Sequence, residues 1–141
     1  MATTAPAEHP TLAFGPTGNS GPFTFKELDR LSEALTMSSH ESDINFSVFI
    51  GNLGADRRGA VAQRHRSFGA KAGNTCLIAV SPNERAVEIG VGEIAAKRLD
   101  DRACNLAVAS MVSSFQGGDL VGGLVDGLRL LSEQAGRPHQ A

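Results

Sequence analysis

Apolar residues recur along this chain with two different spacings, one typical of helices and one typical of strands. The clearest helical pattern begins at Thr24, because Thr24 and Glu27 have the spacing of a capping box. It predicts a first helix over residues 24–39. The apolar residues that share one face of this helix are Phe25, Leu28, Leu31 and Leu35.

Three shorter segments have the patterns of strands. Residues 44–50 alternate apolar with polar side chains, which predicts a first strand with one buried face. Residues 75–80 (TCLIAV) are almost continuously apolar, as expected of a central strand covered on both faces. A turn at Ser81–Glu84 precedes a further alternating run at 87–91, so this third strand should return antiparallel to the second.

The rest of the chain has mainly helical patterns. Helices are predicted at residues 55–71, 101–116 and 119–135, with a short helical piece at 93–98. The predicted buried face of the helix at 101–116 comprises Cys104, Val108, Met111, Val112 and Phe115. That of the last helix comprises Leu120, Leu124, Leu128 and Leu131.

This order of elements predicts an α/β fold, a small mixed β-sheet sandwiched by helices on both faces. The first two strands would run parallel, joined by a right-handed crossover. Residues 24–135 are expected to form a single domain. Residues 1–23 are rich in proline and glycine and are predicted to be flexible apart from a short strand at 11–14, and residues 136–141 are predicted to be a flexible tail.

Composition and charge exclude several classes of protein. The chain has 141 residues, of which 41% are hydrophobic and 20% charged, so it is neither wholly disordered nor collagen-like. Its formal net charge of −2 argues against a dedicated nucleic-acid binder. Residues 1–9 lack the basic start and apolar stretch of a signal peptide, and no apolar run is long enough for a membrane helix. A cytoplasmic location is therefore expected.

Nucleophilic chemistry is not evident in the chain. The two cysteines, Cys76 and Cys104, lie in apolar segments typical of buried reduced thiols rather than of a disulfide or a metal site. A cysteine phosphatase would need an arginine six residues later, where Pro82 and Ser110 stand. No catalytic serine motif or paired Cys/His is present, so the sequence identifies no catalytic residue.

Several segments carry a resemblance to a known family. The chain reads CLIAVSPNERAVEIGVG at 76–92, LDDRA at 99–103 and FQGGDLVGGLVDGLRLL at 115–131. In this order, within the region from about Ser47 to Leu131, they resemble the TPM domain family of thylakoid-acid-phosphatase-like proteins, uncharacterised bacterial members included. The resemblance implies an α/β/α sandwich, a divalent-metal site built from carboxylates, and for some members acid phosphatase activity or a chaperone-like role. Because the family's early aspartate has no clear counterpart at 12–23, weak or vestigial activity is expected.

Strand directions predict where such a metal site would lie. Asp43 before the first strand, Asn74 before the second, and the segment 92–101 after the third belong to the same edge of the sheet. Carboxylate and carbonyl oxygens suit Ca²⁺ or Mg²⁺. The candidate metal ligands are therefore Asp101, Asp119, Asp100 and Asp43, with Asp119 joining from the start of the last helix. The alternative is that Asp100 or Asp101, together with Asp119, act only as helix N-caps, which need no metal.

Two further motifs have simpler explanations than the functions they suggest. The segment GVGEIA at 90–95 matches a dinucleotide fingerprint, but neither a long helix nor a later strand follows it. The helix at 55–71 is basic, which would attract phosphate, RNA or an anionic partner, although a solvated helix face is the commoner explanation. Nucleic acid is not the expected partner. The four histidines lack the spacing of zinc ligands.

Two functions thus remain open. One is a TPM-like domain that binds a divalent cation and has weak or vestigial acid phosphatase activity. The other is a non-catalytic protein-interaction or chaperone-like module that meets an unidentified protein partner. It would use either the basic helix at 55–71 or the glycine-rich surface of the helix at 119–135.

Overall fold

The computed structural model of the chain describes residues 12–14 and 23–136. Within this part, the short strand expected near the start of the chain is present at Leu12–Phe14. The flexibility predicted for residues 1–11, 15–22 and 137–141 concerns residues outside the described part.

The sheet has the mixed topology that the sequence predicts. Its strands lie side by side in chain order: Leu12–Phe14 (β1), Asn45–Ile50 (β2), Thr75–Ser81 (β3) and Ala86–Val91 (β4). β1, β2 and β3 run parallel to one another, and β4 is antiparallel to β3. All residues of β3 are buried, which confirms the central position predicted from its lack of a polar face.

The first helix begins as predicted and ends later. It spans Phe25–Ser42 (α1), and its N-terminus is closed by a capping box in which Thr24 and Glu27 exchange side-chain to backbone hydrogen bonds. The predicted end, residue 39, is three residues early. Asp43 ends the helix in the left-handed conformation (φ 63°), where its N–H donates to the oxygen of Ser39.

One residue of the predicted buried face of α1 is exposed. Leu31 and Leu35 are fully enclosed, but Phe25 is 91% exposed. Helical side chains lean toward the N-terminus of their helix, so the side chain of the first residue projects beyond the helix end. The prediction that Phe25 joins the core is therefore wrong.

The predicted second helix is divided in two. The structure has an α-helix at Arg57–Arg66 (α2) and a 3-10 helix at Gly69–Asn74, where the sequence predicts one helix over 55–71. Gly69 adopts φ 63°, a left-handed conformation that ends right-handed helical geometry. The interruption is what allows the chain to turn into β3.

The last two helices have the predicted bounds to within a residue and pack unusually closely. They span Asp101–Gln116 (α3) and Leu120–Ala135 (α4). A methyl group added at Gly127 would lie 2.7 Å from Cγ of Met111, and one added at Gly123 would overlap the end of α3. The glycines of α4 therefore serve to bring the two helices together.

The buried face of α3 is rotated from its predicted position. The fully buried side chains are Ala103, Ala107 and Met111. The glycines of α4 face the other end of this helix, where Gly127 meets Met111 and Gly123 meets Ser114 and Phe115. Four residues of the predicted face are only half-buried: Cys104, Val108, Val112 and Phe115.

Helices cover both faces of the sheet, which confirms the predicted α/β/α fold. On one face α1, α3 and α4 enclose the larger hydrophobic cluster, which includes Phe46, Ile78 and Leu128. On the other face α2 covers a smaller cluster around Phe49 and Leu77. β2 and β3 contribute side chains to both clusters, so the sheet unites them.

Gly92 fixes the turn at the end of β4. A side chain at this position would overlap the main-chain oxygens of Ala72 and Gly73, which explains the glycine without any bound nucleotide. Only a short 3-10 helix, Ala95–Lys97, follows where residues 93–98 are predicted to be helical. The expectation that the glycine motif does not open a long helix is confirmed.

Candidate functional site

Residues 43, 74 and 92 approach one another at the edge of the sheet formed by the amino ends of β2 and β3. Asn74 Nδ2 donates a hydrogen bond of 2.7 Å to the main-chain oxygen of Asp43. Gly92 N–H donates 3.0 Å to the oxygen of Thr75, which brings the segment leading to Asp100 and Asp101 to the same edge. The main chain of Asp43 and of Gly92 thus meets the amino end of β3, as strand directions predict.

A cationic side chain lies at this edge. Arg98 Nη1 donates 2.6 Å to the oxygen of Ser42, and its Nη2 donates 2.8 Å to the oxygen of Gly136 and 3.3 Å to that of Ala135. These oxygens belong to the carboxyl ends of α1 and α4. Such carbonyls lack partners within their helix and carry partial negative charge, so a guanidinium satisfies and stabilises both ends. No local sequence pattern indicates this role of Arg98.

Asp119 does not join the other candidate ligands. Its N–H bonds to the oxygen of Ser114 at the far end of α3, and 13 residues at about 1.5 Å each place it about 20 Å from Asp101. Asp100 and Asp119 each accept a hydrogen bond from a first-turn N–H, at Ala103 and Gly122 respectively. These two aspartates are thus helix N-caps, whatever else they bind.

Among residues 12–14 and 23–136, no three side chains of the metal-binding types form a group able to hold an ion. Cation binding by Asp43, Asp100 and Asp101 stays a prediction. Any site there would need ligands beyond these carboxylates, such as the main-chain oxygens of the same edge.

Both cysteines lie in environments that disfavour the reactive thiolate. Burial raises the pKa of the Cys76 thiol, and proximity to Cys104 raises it further. Burial also raises the pKa of Cys104, with smaller contributions from the carboxylates of Asp101 and Asp100. The thiols are therefore protonated at neutral pH, and no disulfide joins them.

The opposite edge of the sheet is organised by one carboxylate. Glu84 accepts hydrogen bonds from the N–H groups of Leu53 (2.8 Å) and Gly54 (3.1 Å). A hydrogen bond with Ser81, followed by the one from Leu53, keeps the pKa of Glu84 below its usual range, and the charge of Arg57 contributes less. This carboxylate ties the β3–β4 turn to the loop that leads into α2.

α2 carries four arginines and no acidic residue, and two of these arginines are engaged within the domain. The guanidinium of Arg64 lies 3.9 Å from the ring centroid of Phe49, a cation–π contact. Arg57 is close enough to Glu84 to act on its charge. His65, on the same helix, anchors it to β3 because Nε2–H donates 3.0 Å to the oxygen of Thr75.

The other two arginines border an open groove between α2 and β4. The groove has a volume of about 320 Å³ and is lined by Arg58, Arg66 and His65 on one side and by β4 from Glu88 to Val91 on the other. Arg58 and Arg66 are exposed, and neither forms an ion pair with any carboxylate of the described residues. We call this surface, together with the outer edge of β4, the α2–β4 groove.

The glycine-rich face of α4 is not a free surface. Val121, Gly122, Gly123, Leu124, Val125, Gly127 and Leu128 are all buried against the rest of the domain. This face of α4 therefore packs within the domain and is not exposed. No helix within the described part of the chain has the length and apolar character needed to cross a bilayer.

Comparison with solved structures supports the fold. The N-terminal domain of protein cg2496 from Corynebacterium glutamicum, determined by NMR, superposes with a TM-score of 0.73 at 14% identity over 100% of this chain and 93% of that one. An N-terminal domain of a protein from P. gingivalis gives 0.70 at 16% identity over 92% and 87%. The BA42 protein of Bizionia argentinensis gives 0.69 at 18% identity over 82% of both chains. At these identities the likeness establishes the fold alone.

Sequence comparison gives the family. An uncharacterized protein of Mycobacterium tuberculosis, found in strains CDC 1551 and H37Rv, is 38% identical over 114 residues. The match covers 79% of this chain and 66% of the relative, so the chain spans somewhat less than two thirds of the length of these relatives. A family model described as a domain of unknown function, DUF5130, matches residues 11–132. The chain therefore belongs to the DUF5130 family.

Proposed function

We propose that this domain is a non-catalytic protein-interaction module that binds an acidic partner through the α2–β4 groove. The observation that carries the proposal is the pair of exposed arginines, Arg58 and Arg66, which have no carboxylate partner in the described part of the chain. They stand beside Arg64, whose guanidinium lies over the ring of Phe49, and Arg57, whose charge acts weakly on Glu84. Arg58 and Arg66 are thus available to bind a ligand.

Electrostatics favours an acidic partner at this position. The chain as a whole has a formal charge of −2, so the positive charge of α2 is a local feature of one face of the sheet. A local patch of one sign steers partners of the opposite sign and speeds their encounter, and the effect weakens as salt screens it. Arginine suits this role because its guanidinium can form two parallel hydrogen bonds with one carboxylate.

A direct test uses polyglutamate as an acidic polypeptide without sequence information. We expect it to bind the domain at low salt, with affinity falling as salt rises, and polylysine not to bind. Reversing both charges (Arg58→Glu with Arg66→Glu) should abolish binding of polyglutamate. The matched control is Lys26→Glu with Arg30→Glu, which makes the same change of charge on exposed residues of α1. Equal loss in both variants would reduce the effect to net charge and overturn the proposal.

A second proposal rests on the resemblance to TPM domains. In it, Asp43, Asp100 and Asp101 contribute to a Ca²⁺ or Mg²⁺ site, and the domain has weak or vestigial acid phosphatase activity. Its support is the meeting of the Asp43 main chain with Asn74 and of residue 92 with β3 at one edge. A bound cation would stabilise the charge that develops on a phosphate ester during hydrolysis. The two proposals use different side chains and are tested separately.

A further inference from the structure

The outer edge of β4 presents main-chain groups that no strand of the described residues pairs. β4 is the last strand in the sheet order, and its inner edge pairs with β3. Gly92 N–H bonds to Thr75, one position beyond the pair formed by Val91 and Cys76. Since bonded and non-bonded pairs alternate along antiparallel strands, Gly90 and Glu88 also bond to β3.

It follows that three residues direct their main-chain groups away from the sheet. The N–H and C=O of Val87, Ile89 and Val91 point outward, all within one strand that contains no proline and no lysine. Proline and lysine are among the features with which proteins protect exposed edges from pairing. The edge of β4 can therefore accept a further strand.

The two sides of this edge differ in chemistry. On the side of α2 lie Arg58 and Arg66, with Glu88 as the carboxylate of β4 that faces the same groove. On the other side, Val87, Ile89 and Val91 pack against the larger hydrophobic cluster but remain half-buried. Because side chains alternate between the two faces of a strand, a strand added here would expose every second residue to each environment.

We propose that β4 binds an extended segment of a partner protein as an additional strand, and that this segment alternates acidic with apolar residues. The inference rests on the interaction proposed above and identifies its partner. Acidic side chains would meet Arg58 and Arg66, and apolar ones would extend the surface of Val87, Ile89 and Val91. Five residues of β4, from Val87 to Val91, set the length of the segment at about five to seven residues.

A second copy of this chain is a poorer occupant of the same edge. Pairing of β4 with its own copy about a two-fold axis would place one α2 beside the other on the same face of the sheet. Each α2 brings four arginines and no carboxylate, so like charges would face each other across the axis. Charge complementarity thus selects an acidic partner over self-association.

The first experiment tests the chemistry of the segment. The probe is a synthetic seven-residue peptide of alternating glutamate and valine, blocked at both ends and labelled for fluorescence anisotropy. We expect it to bind, and the same peptide with lysine in place of glutamate not to bind. The variant Arg58→Glu with Arg66→Glu should weaken binding at least tenfold, and Lys26→Glu with Arg30→Glu should preserve it. Displacement by an equal concentration of a uridine oligonucleotide would overturn the assignment to a protein partner.

The second experiment tests the mode of binding. Ile89→Pro removes an outward N–H without removing a hydrogen bond to β3, and proline is accepted on edge strands in this orientation. Ile89→Pro should lower the affinity for the alternating peptide at least tenfold while leaving polyglutamate binding intact. Ile89→Ala, which loses the side chain but keeps the N–H, should change affinity only a few-fold. Equal affinity of the proline and alanine variants for the peptide would overturn strand addition and leave the interaction proposal standing.

Hydrogen exchange keeps the inference testable if the proline variant does not fold. In the wild-type domain, saturating peptide should slow exchange of the amides of Val87, Ile89 and Val91, which face outward. The amides of Glu88 and Gly90 already bond to β3 and should change little. Unchanged exchange at the three outward amides would contradict strand addition. Failure of the wild type to bind both the peptide and polyglutamate would overturn the interaction proposal itself.

Discussion

The guanidinium of Arg98 donates a hydrogen bond of 2.6 Å to the main-chain oxygen of Ser42, 56 residues away in the chain. Its second nitrogen bonds to the oxygens of Ala135 and Gly136 at the end of α4. One side chain thus joins the carboxyl ends of two helices to the segment that follows β4. The same contact places a fixed positive charge at the edge where the sequence predicts a bound cation.

Replacing this side chain should destabilise the domain. Arg98→Met keeps much of the aliphatic stem but removes every hydrogen bond to the three carbonyl oxygens. Hydrogen bonds to charged groups contribute about 1.5–3 kcal/mol. The partly buried main-chain oxygens of Ser42 and Ala135 would lose their donor. We expect the free energy of unfolding, measured in urea, to fall by about 2–3 kcal/mol.

Arg102→Met is the matched control, because Arg102 is exposed on the first turn of the neighbouring helix α3. Its effect should lie within about 0.5 kcal/mol of zero, as for most surface substitutions. Equal stability of the two variants would show that the Arg98 hydrogen bonds do not contribute to folding.

The pattern of apolar residues is sufficient to predict most of this fold. β3 illustrates why: a run of apolar residues without a polar face is stable only in the centre of a sheet covered on both sides, and β3 lies there. The rotation of α3 was not predictable in the same way. Ala103 and Ala107 are buried whereas Cys104 and Val108 are half-buried, and which side of α3 is enclosed depends on how the helix packs against α4 and β4.

The candidate site was less accessible to prediction for the same reason. Strand direction indicates which residues share an edge, and it brings Asp43 and the segment before Asp100 together. It says nothing of Asp119, whose position depends on how α3 and α4 pack. Arg98 could have been suspected from the general need of helix carboxyl ends for donors, but no local spacing indicates which helices it reaches.

The contact between Gly127 and Met111 predicts a second effect on stability. In Gly127→Ala the new methyl group would lie 2.7 Å from Cγ and 2.8 Å from Sδ of Met111, so the side chain or the helix must shift. Overpacking of this kind costs about 1–3 kcal/mol, which should exceed the gain of about 1 kcal/mol in helix propensity. We expect net destabilisation, measured as a lower urea midpoint with unchanged slope.

The double variant isolates this contact. Met111→Ala alone should destabilise by about 2–5 kcal/mol, since Met111 is fully buried. In that background Gly127→Ala no longer meets a side chain and should be neutral or stabilising, giving a coupling of at least about 1 kcal/mol. Additive effects of the two substitutions would mean that the methyl group is accommodated elsewhere.

Glu84 should make stability depend on pH. Its pKa is lower in the folded protein than in the unfolded chain, chiefly because of the hydrogen bonds with Ser81 and Leu53. A lowered carboxyl pKa stabilises the fold above the unfolded value, about 4.3 for glutamate, and this stabilisation is lost as pH falls through the folded pKa. We therefore expect Glu84→Gln to be less stable than the wild type at pH 7 and the difference to shrink below pH 4.

Glu93→Gln provides the comparison, because Glu93 is an exposed carboxylate beyond β4. Unfolding of all three proteins would be followed in urea at several pH values. A difference between wild type and Glu84→Gln that stays constant from pH 7 to pH 3 would assign the effect to hydrogen-bond geometry rather than to charge.

The cation proposal leads to a prediction about melting. A cation that binds only the folded state stabilises it by about 2.7 kcal/mol when its concentration is 100 times the dissociation constant. Millimolar Ca²⁺ or Mg²⁺ should therefore raise the melting temperature of the wild type by several degrees and leave that of Asp101→Asn unchanged.

Asp119→Asn should behave as the wild type, because Asp119 lies at the far end of α3 and asparagine also caps helices well. Hydrolysis of p-nitrophenyl phosphate should be weak even with the ion present, because burial and the carboxylates of Asp101 and Asp100 keep the Cys104 thiol protonated at neutral pH and the TPM family's early aspartate has no clear counterpart. If neither ion shifts the melting of the wild type, Asp100 and Asp119 act as helix caps alone and the cation proposal fails. A shift that disappears in Asp119→Asn but persists in Asp101→Asn would place the ion at the other end of α3.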